Sequence, residues 1–253
     1  MEAAVTGRLV SLPYIGAWKF PLLTVPETCY SNRVNPSAKS PKLREPSKLV
    51  SGFHHRDHLP HLKREGGSYF VTFRLAGTLP AEVLAQFKAE RENILAQALA
   101  ARRPLTWHEQ EELFRWYSSR VDKYLDAGHG ECWLRQPELA RTVADVLRFH
   151  AGRRFELNAW VVMPNHVHAV VRPLPDWTLS DVLHSWKGYS AKEANKLLSR
   201  QGEFWQGETY DHLIRDEEDL HHCCHYTVMN PVNARLCQRP EEWPWSSVFP
   251  TQA

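Results

Sequence analysis

His166-Val167-His168 sets two imidazoles either side of one valine. In an extended chain alternate side chains share a face, so the two rings stand together while Val167 turns away. Imidazoles at that spacing can bind one divalent cation, and imidazole suits Mn2+, Zn2+ or Fe2+ better than Mg2+. A third ligand must then come from elsewhere in the chain. Farther on, His221-His-Cys-Cys-His-Tyr226-Thr-Val-Met-Asn230-Pro231 reads as a helix in which Tyr226 and Asn230 share a face. A phenol can attack phosphorus if a metal polarises the phosphate, and a carboxamide oxygen can ligate a hard cation. Pro231 should end the helix and push Asn230 out of helical geometry. Each motif also has a plainer reading: two half-exposed histidines on an amphipathic strand, a core tyrosine, an asparagine at a helix stop.

The elements that must hold these groups can be read from periodicity. Residues 68–75 and 155–163 are rich in β-branched and aromatic side chains and read as strands. Pro164-Asn165 makes a tight turn, and His166 to Arg172 returns as the second half of a hairpin. Helices are expected after Pro80, after Thr106, from Pro137 to His150, from Thr178 or Ser180 to about Leu198, and after Asp216. Residues 208–215 could add a fourth strand. With 81–150 taken as one crossover region, the order is β-α-β-β-α-β plus a last helix. That is an α+β, ferredoxin-like antiparallel sheet with helices on one face. The helices between 81 and 127 carry alternating charges and read as a surface-exposed insertion. Trp243-Pro-Trp-Ser-Ser247 reads as a compact apolar plug.

Composition removes several classes. The 253 residues are 43% hydrophobic and include ten Trp, ten Phe and eight Tyr, too much apolar surface for a disordered chain. The apolar runs fall far short of a membrane span, and no signal peptide is read at the N-terminus, so a cytoplasmic, nucleoid-associated location is expected. Five cysteines without a CxxC pair argue for reduced thiols and against a zinc finger. Residues 1–50 hold six of the seventeen prolines and read as a disordered extension, leaving 51–253 as the domain. They also carry seven Lys/Arg against three Glu, a balance of +4, so with +2 overall the remainder sums to −2. Nucleic acid could bind only through a local basic stripe. Lys187, Lys192, Lys196 and Arg200 on the 179–200 helix form such a stripe, with Tyr189 and Trp186 available to stack on unpaired bases.

The chain resembles a known family, the HUH single-tyrosine transposases of insertion sequences, in the branch called REP-associated tyrosine transposases. The resemblance runs from Arg56-Asp-His-Leu-Pro-His61 through Gly67 to Leu75 and is strongest at Met163-Pro-Asn-His-Val-His168. It continues through Phe204-Trp-Gln206, Asp211-His-Leu-Ile-Arg-Asp216, Tyr226 with Asn230-Pro-Val-Asn-Ala234, and Trp243 to Ser247. It implies that His166 and His168 are metal ligands, with Asn230 the third, that the metal is Mg2+ or Mn2+, and that Tyr226 is the nucleophile. It implies a ferredoxin-like catalytic core acting on single-stranded DNA with hairpins as a monomer or homodimer. Attack by Tyr226 would leave a 5′-phosphotyrosine and a 3′-OH, conserving the bond energy so that strands can be rejoined. The competing reading is a domesticated protein that binds palindromic-repeat hairpins without transposing. Tyr189 is the second candidate nucleophile, and His222, one turn before Tyr226, a candidate proton carrier.

Overall fold

Val71, Phe73, Val167, Ala169 and Val171 line one face of a sheet, and Phe70, Thr72, His166, His168 and Val170 line the other. The strict alternation of strand side chains thus separates an apolar layer from a layer that carries the histidines. In this computed structural model, residues 52–56, 59–103, 106, 108–109, 112 and 117–250 are described. The 1–50 extension lies outside them, as does most of the helix expected after Thr106, although Thr106 and Glu109 do cap each other reciprocally.

The strands are β1 (Gly52–Arg56), β2 (Leu59–Lys63), β3 (Tyr69–Arg74), β4 (Phe155–Val162), β5 (His166–Pro173) and β6 (Tyr210–Leu213). The helices are α1 (Ala81–Ala100), α2 (Lys123–Asp126), α3 (Pro137–Phe149), α4 (Leu179–Leu197) and α5 (Glu217–Asn233). A π-helical stretch, Tyr117–Asp122, runs straight into α2. β1 and β2 form a separate antiparallel hairpin that the sequence pattern did not announce. The other four strands form one antiparallel sheet in the order β4-β5-β3-β6. The first and second strands of this unit, β3 and β4, are thus split by the third, which is the ferredoxin-like order.

A register shift between Leu157 and Ala159 places one extra residue in β4 opposite β5. Side chains facing the main core therefore switch from Phe155 and Leu157 to Trp160 and Val162. Helices α3 and α4 cover that core. α3 buries Leu139, Ala140, Val143, Ala144 and Leu147 along one stripe, and α4 buries Val182, Trp186 and Ala194. Truncating the fully buried Trp186 should cost about 3–5 kcal/mol. The two helices of the β-α-β-β-α-β unit thus share one face, as expected, and the added helix α5 lies on the opposite side, with Cys223 and Tyr226 packed against Phe70, Ala159 and Val170. It has to, because that layer would otherwise expose Phe70 and Val170.

Two expectations change. The 121–125 region is not a surface insertion: Val121, Asp122 and Leu125 are buried. Nor does Pro231 end α5, which continues to Asn233, so Asn230 stays helical. Only one amide is lost at the proline, and the last turn closes with Ala234 N–H donating to the Asn230 carbonyl and Leu236 N–H to that of Pro231. The Trp243–Ser247 tail does pack as a plug. It pairs along the outer edge of β4, with Val162 N–H donating to the Trp245 carbonyl, Ser247 N–H to that of Trp160, and the Trp243 indole to that of Val162. An edge strand that could recruit a foreign strand is covered in this way.

A candidate metal and tyrosine centre

Cross-strand register places Thr72 of β3 opposite His168 and Arg74 opposite His166. Thr72 Oγ1 accordingly lies 2.7 Å from His168 Nδ1. His166 Nδ1 lies 2.7 Å from Asn165 Oδ1. The Asn165 amide nitrogen donates to the carbonyls of Leu125 (2.9 Å) and His129 (3.3 Å), so its oxygen must face the imidazole. His166 Nδ1 therefore carries the proton, and its Nε2 presents a lone pair. That Nε2 stands 3.0 Å from Nε2 of His168. When His168 donates from Nδ1 to Thr72, two lone pairs converge on one point, an arrangement that a cation relieves.

Both rings are fully buried. Burial depresses His166 to about 3, against an opposing effect from the Asn230 carboxamide beside it, and burial together with His166 holds His168 well below the usual histidine range. Both are neutral near pH 7, the form a metal needs. Phe70 stacks on the His168 ring at 5.5 Å, and the Tyr226 ring meets it edge-on at 5.7 Å.

Asn230 enters from α5, where Cys223, Thr227 and Asn230 form the buried stripe. Among the described residues its Oδ1 is buried without a hydrogen-bond partner, as is Oδ1 of Asp126, which lies 4.0 Å from His166 Nε2. Two neutral imidazole nitrogens, an unsatisfied amide oxygen and an unsatisfied carboxylate oxygen together make a donor set that fits a divalent cation. Burial raises the Asp126 carboxyl to about 7.

The Tyr226 hydroxyl donates to Asp122 Oδ2. Burial pushes Asp122 well above the ordinary carboxyl range, partly opposed by that hydrogen bond. Sequence reasoning did not single out Asp122, Asp126, Asn165 or Thr72. Thr72 follows from register once β3 and β5 are paired, whereas the two aspartates carry no local signal.

The remaining candidates lie elsewhere. α4 covers the opposite face of the sheet, so Tyr189, exposed on it, does not meet the histidine pair. The Lys187 ammonium donates to the carbonyls of Gln206 (2.7 Å) and Gly207 (2.8 Å) and to Thr209 Oγ1 (3.1 Å), and burial with nearby Arg74 lowers it to about 8. It anchors the loop before β6 and does not present itself to phosphate. Arg200 donates to the Glu203 carbonyl at 3.1 Å and lies over the Trp133 ring. Lys192 and Lys196 are exposed, and so is His222.

A second grouping, His212, Asp219 and Cys223, keeps one ligand atom from each within 4.8 Å of the others and could hold a metal ion. Its carboxylate already accepts from Arg215 N and Nε, both at 3.1 Å, and faces His212 Nε2 at 3.0 Å. Burial and the adjacent Asp219 charge keep the Cys223 thiol protonated. A cation there would have to displace Arg215.

Fold and site together define an α+β protein with a buried histidine pair facing a helix-borne tyrosine. Residues 136–226 match the family model described as transposase, IS200-like, a segment that runs from the start of α3 to Tyr226. The chain is similar to the REP-associated tyrosine transposase of Escherichia coli (strain K12), with 28% identity over 106 residues, 40% of this chain and 59% of that protein. A homologous protein from Haemophilus influenzae (strain ATCC 51907 / DSM 11121 / KW20 / Rd) is 28% identical over 104 residues, 37% of this chain and 58% of its own. The chain thus spans under two thirds of the length of these relatives. A solved structure described as a REP-associated tyrosine transposase bound to a REP hairpin aligns with a TM-score of 0.42 and 18% identity, covering 77% of this chain and 81% of that one. No helix among the described residues is long and apolar enough to cross a membrane.

Proposed function

We propose that this chain is a transposase that cleaves and rejoins single-stranded DNA at hairpins, with Tyr226 as nucleophile and a divalent cation held by His166, His168 and Asn230. One observation carries the reading: two neutral imidazoles present their Nε2 atoms 3.0 Å apart beside an unsatisfied Asn230 oxygen, with the Tyr226 ring against His168. A hard cation such as Mg2+ or Mn2+ suits the Asn230 amide oxygen, and of the two Mn2+ better suits imidazole.

When bound, the cation would draw charge from a phosphate oxygen and so offset the negative charge that develops during transfer. The protein does the rest. Asn165 holds the His166 imidazole in its tautomer, Thr72 anchors His168 at Nδ1, Phe70 and Tyr226 fix the His168 ring, and α5 delivers the phenol and the carboxamide from one rigid element. The phenol oxygen attacks phosphorus, the 3′-oxygen leaves, and the 5′-phosphotyrosine keeps the bond energy for rejoining. Lys192 and Lys196 lie across the sheet from the histidines and would contact only flanking phosphates.

The test is incubation with hairpin-bearing single-stranded DNA and Mn2+ or Mg2+, followed by denaturing electrophoresis. The wild-type protein should give a covalent protein–DNA adduct that Tyr226→Phe abolishes and EDTA prevents. Hairpin binding with no adduct in any metal would instead identify a binding protein without transfer activity. Retention of stoichiometric metal after both His166→Ala and His168→Ala would move the cation to the His212–Asp219–Cys223 group.

A further inference from the structure

The phenol must lose its proton as it attacks, and no group in the histidine–asparagine set can accept it, because their lone pairs are directed to the cation. The structure assigns this role to Asp122: we propose that its carboxylate takes the Tyr226 proton during cleavage and returns it during rejoining. The role rests on Tyr226 being the nucleophile.

Three observations converge on this carboxylate. The Tyr226 hydroxyl donates directly to Oδ2. Asp122 is only 2% exposed, so bulk water does not compete for the proton. Its other oxygen, Oδ1, is buried with no hydrogen-bond partner among the described residues. A buried carboxylate kept only for structure normally has both oxygens satisfied. One whose donor among the described residues is the reacting hydroxyl itself keeps its basicity for that hydroxyl.

Its placement is tied to the rest of the site. Asp122 ends the π-helical stretch, and the next turn, α2, contributes the Leu125 carbonyl to Asn165, whose oxygen orients His166. The base and the metal ligand are thus registered through two hydrogen bonds. Asp126, four residues on, faces His166 from the same segment. The helical region that looked like a surface insertion therefore closes the site against α5.

The step balances. The Tyr226 Oη–P bond forms and the P–O3′ bond breaks; the phenolic proton passes to Asp122 Oδ2, and the 3′-alkoxide takes a proton from solvent. In rejoining, a 3′-hydroxyl attacks phosphorus, the phenolate leaves, and Asp122 reprotonates it.

The test uses the full chain with Asp122→Asn, which keeps the size and one acceptor oxygen but is a far weaker base. Adduct formation should slow by about 100-fold or more, while hairpin affinity is unchanged. A fluorinated tyrosine installed at position 226 has a more acidic phenol and needs less help. It should recover at least about tenfold in the Asp122→Asn background and change the otherwise wild-type protein little. Asp122→Glu, which keeps a carboxylate, should retain more activity than Asp122→Asn. Wild-type rates in Asp122→Asn, or a loss that the acidic phenol does not relieve, would overturn the assignment while leaving Tyr226 as nucleophile. Absence of any adduct from the wild-type protein would overturn both.

Discussion

Each histidine in the pair has a side-chain partner at its Nδ1, Asn165 for His166 and Thr72 for His168. Asn165 is the more informative of the two, because its amide nitrogen is committed to the Leu125 and His129 carbonyls and its oxygen has only one way to face. Asn165→Ala should leave the ligands in place but release the His166 tautomer, weakening divalent-cation affinity about 10- to 100-fold. Calorimetric titration with Mn2+ checks this, and an unchanged dissociation constant would show that the orientation comes from packing alone. The His-x-His pair and the Tyr226–Asn230 pair were both legible in the chain, since each depends only on the period of its own element. Asp122 was not. It is 104 residues from the tyrosine it touches, and among alternating charges it looks like any solvated acid until α5 arrives to bury it.

Periodicity also gives each element a buried face without saying which side of the sheet that face meets. That is why α4 and α5, both amphipathic, could not be assigned to opposite layers from sequence, and why the basic stripe on α4 proved remote from the histidines. Lys187 is the clearest case: it continues the stripe in sequence but caps the 206–209 loop in three dimensions. Lys187→Met should lower stability by about 1–3 kcal/mol and barely change the salt dependence of DNA binding. Lys192→Glu with Lys196→Glu should do the reverse. Chemical denaturation and binding at two salt concentrations separate the two outcomes. At the start of α5, burial alone would raise the Asp219 carboxyl, but His212 and Arg215 outweigh it and hold it well below the usual carboxylate range. A carboxyl depressed in the folded state stabilises above its unfolded pKa of about 3.9 and loses that contribution as the pH falls further. The wild-type melting temperature should therefore fall more steeply than that of Asp219→Asn as pH drops from about 5 to 3. Parallel curves by scanning calorimetry would show that the Asp219 network adds nothing to the acid sensitivity.

The molecule assembles its centre from four separate stretches: β3, the segment ending in α2, the β4–β5 hairpin and α5. Only the sheet order brings them together, with β5 and β3 as neighbours at its middle and α5 laid over the polar layer. The C-terminal tail secures the far edge. Removing residues 243–253 should expose the β4 ladder and promote association, seen as a rise in mass by light scattering, while a monodisperse truncated protein would show that the edge needs no cover. The proposed transfer runs through one phenol beside one cation held by the histidine pair. Proteolysis of the DNA-reacted protein followed by mass spectrometry reads it directly: the nucleotide mass should sit on the peptide containing Tyr226 and should be missing when His166 and His168 are both alanine. A nucleotide carried on any other residue, or on Tyr226 with both histidines gone, would contradict the account.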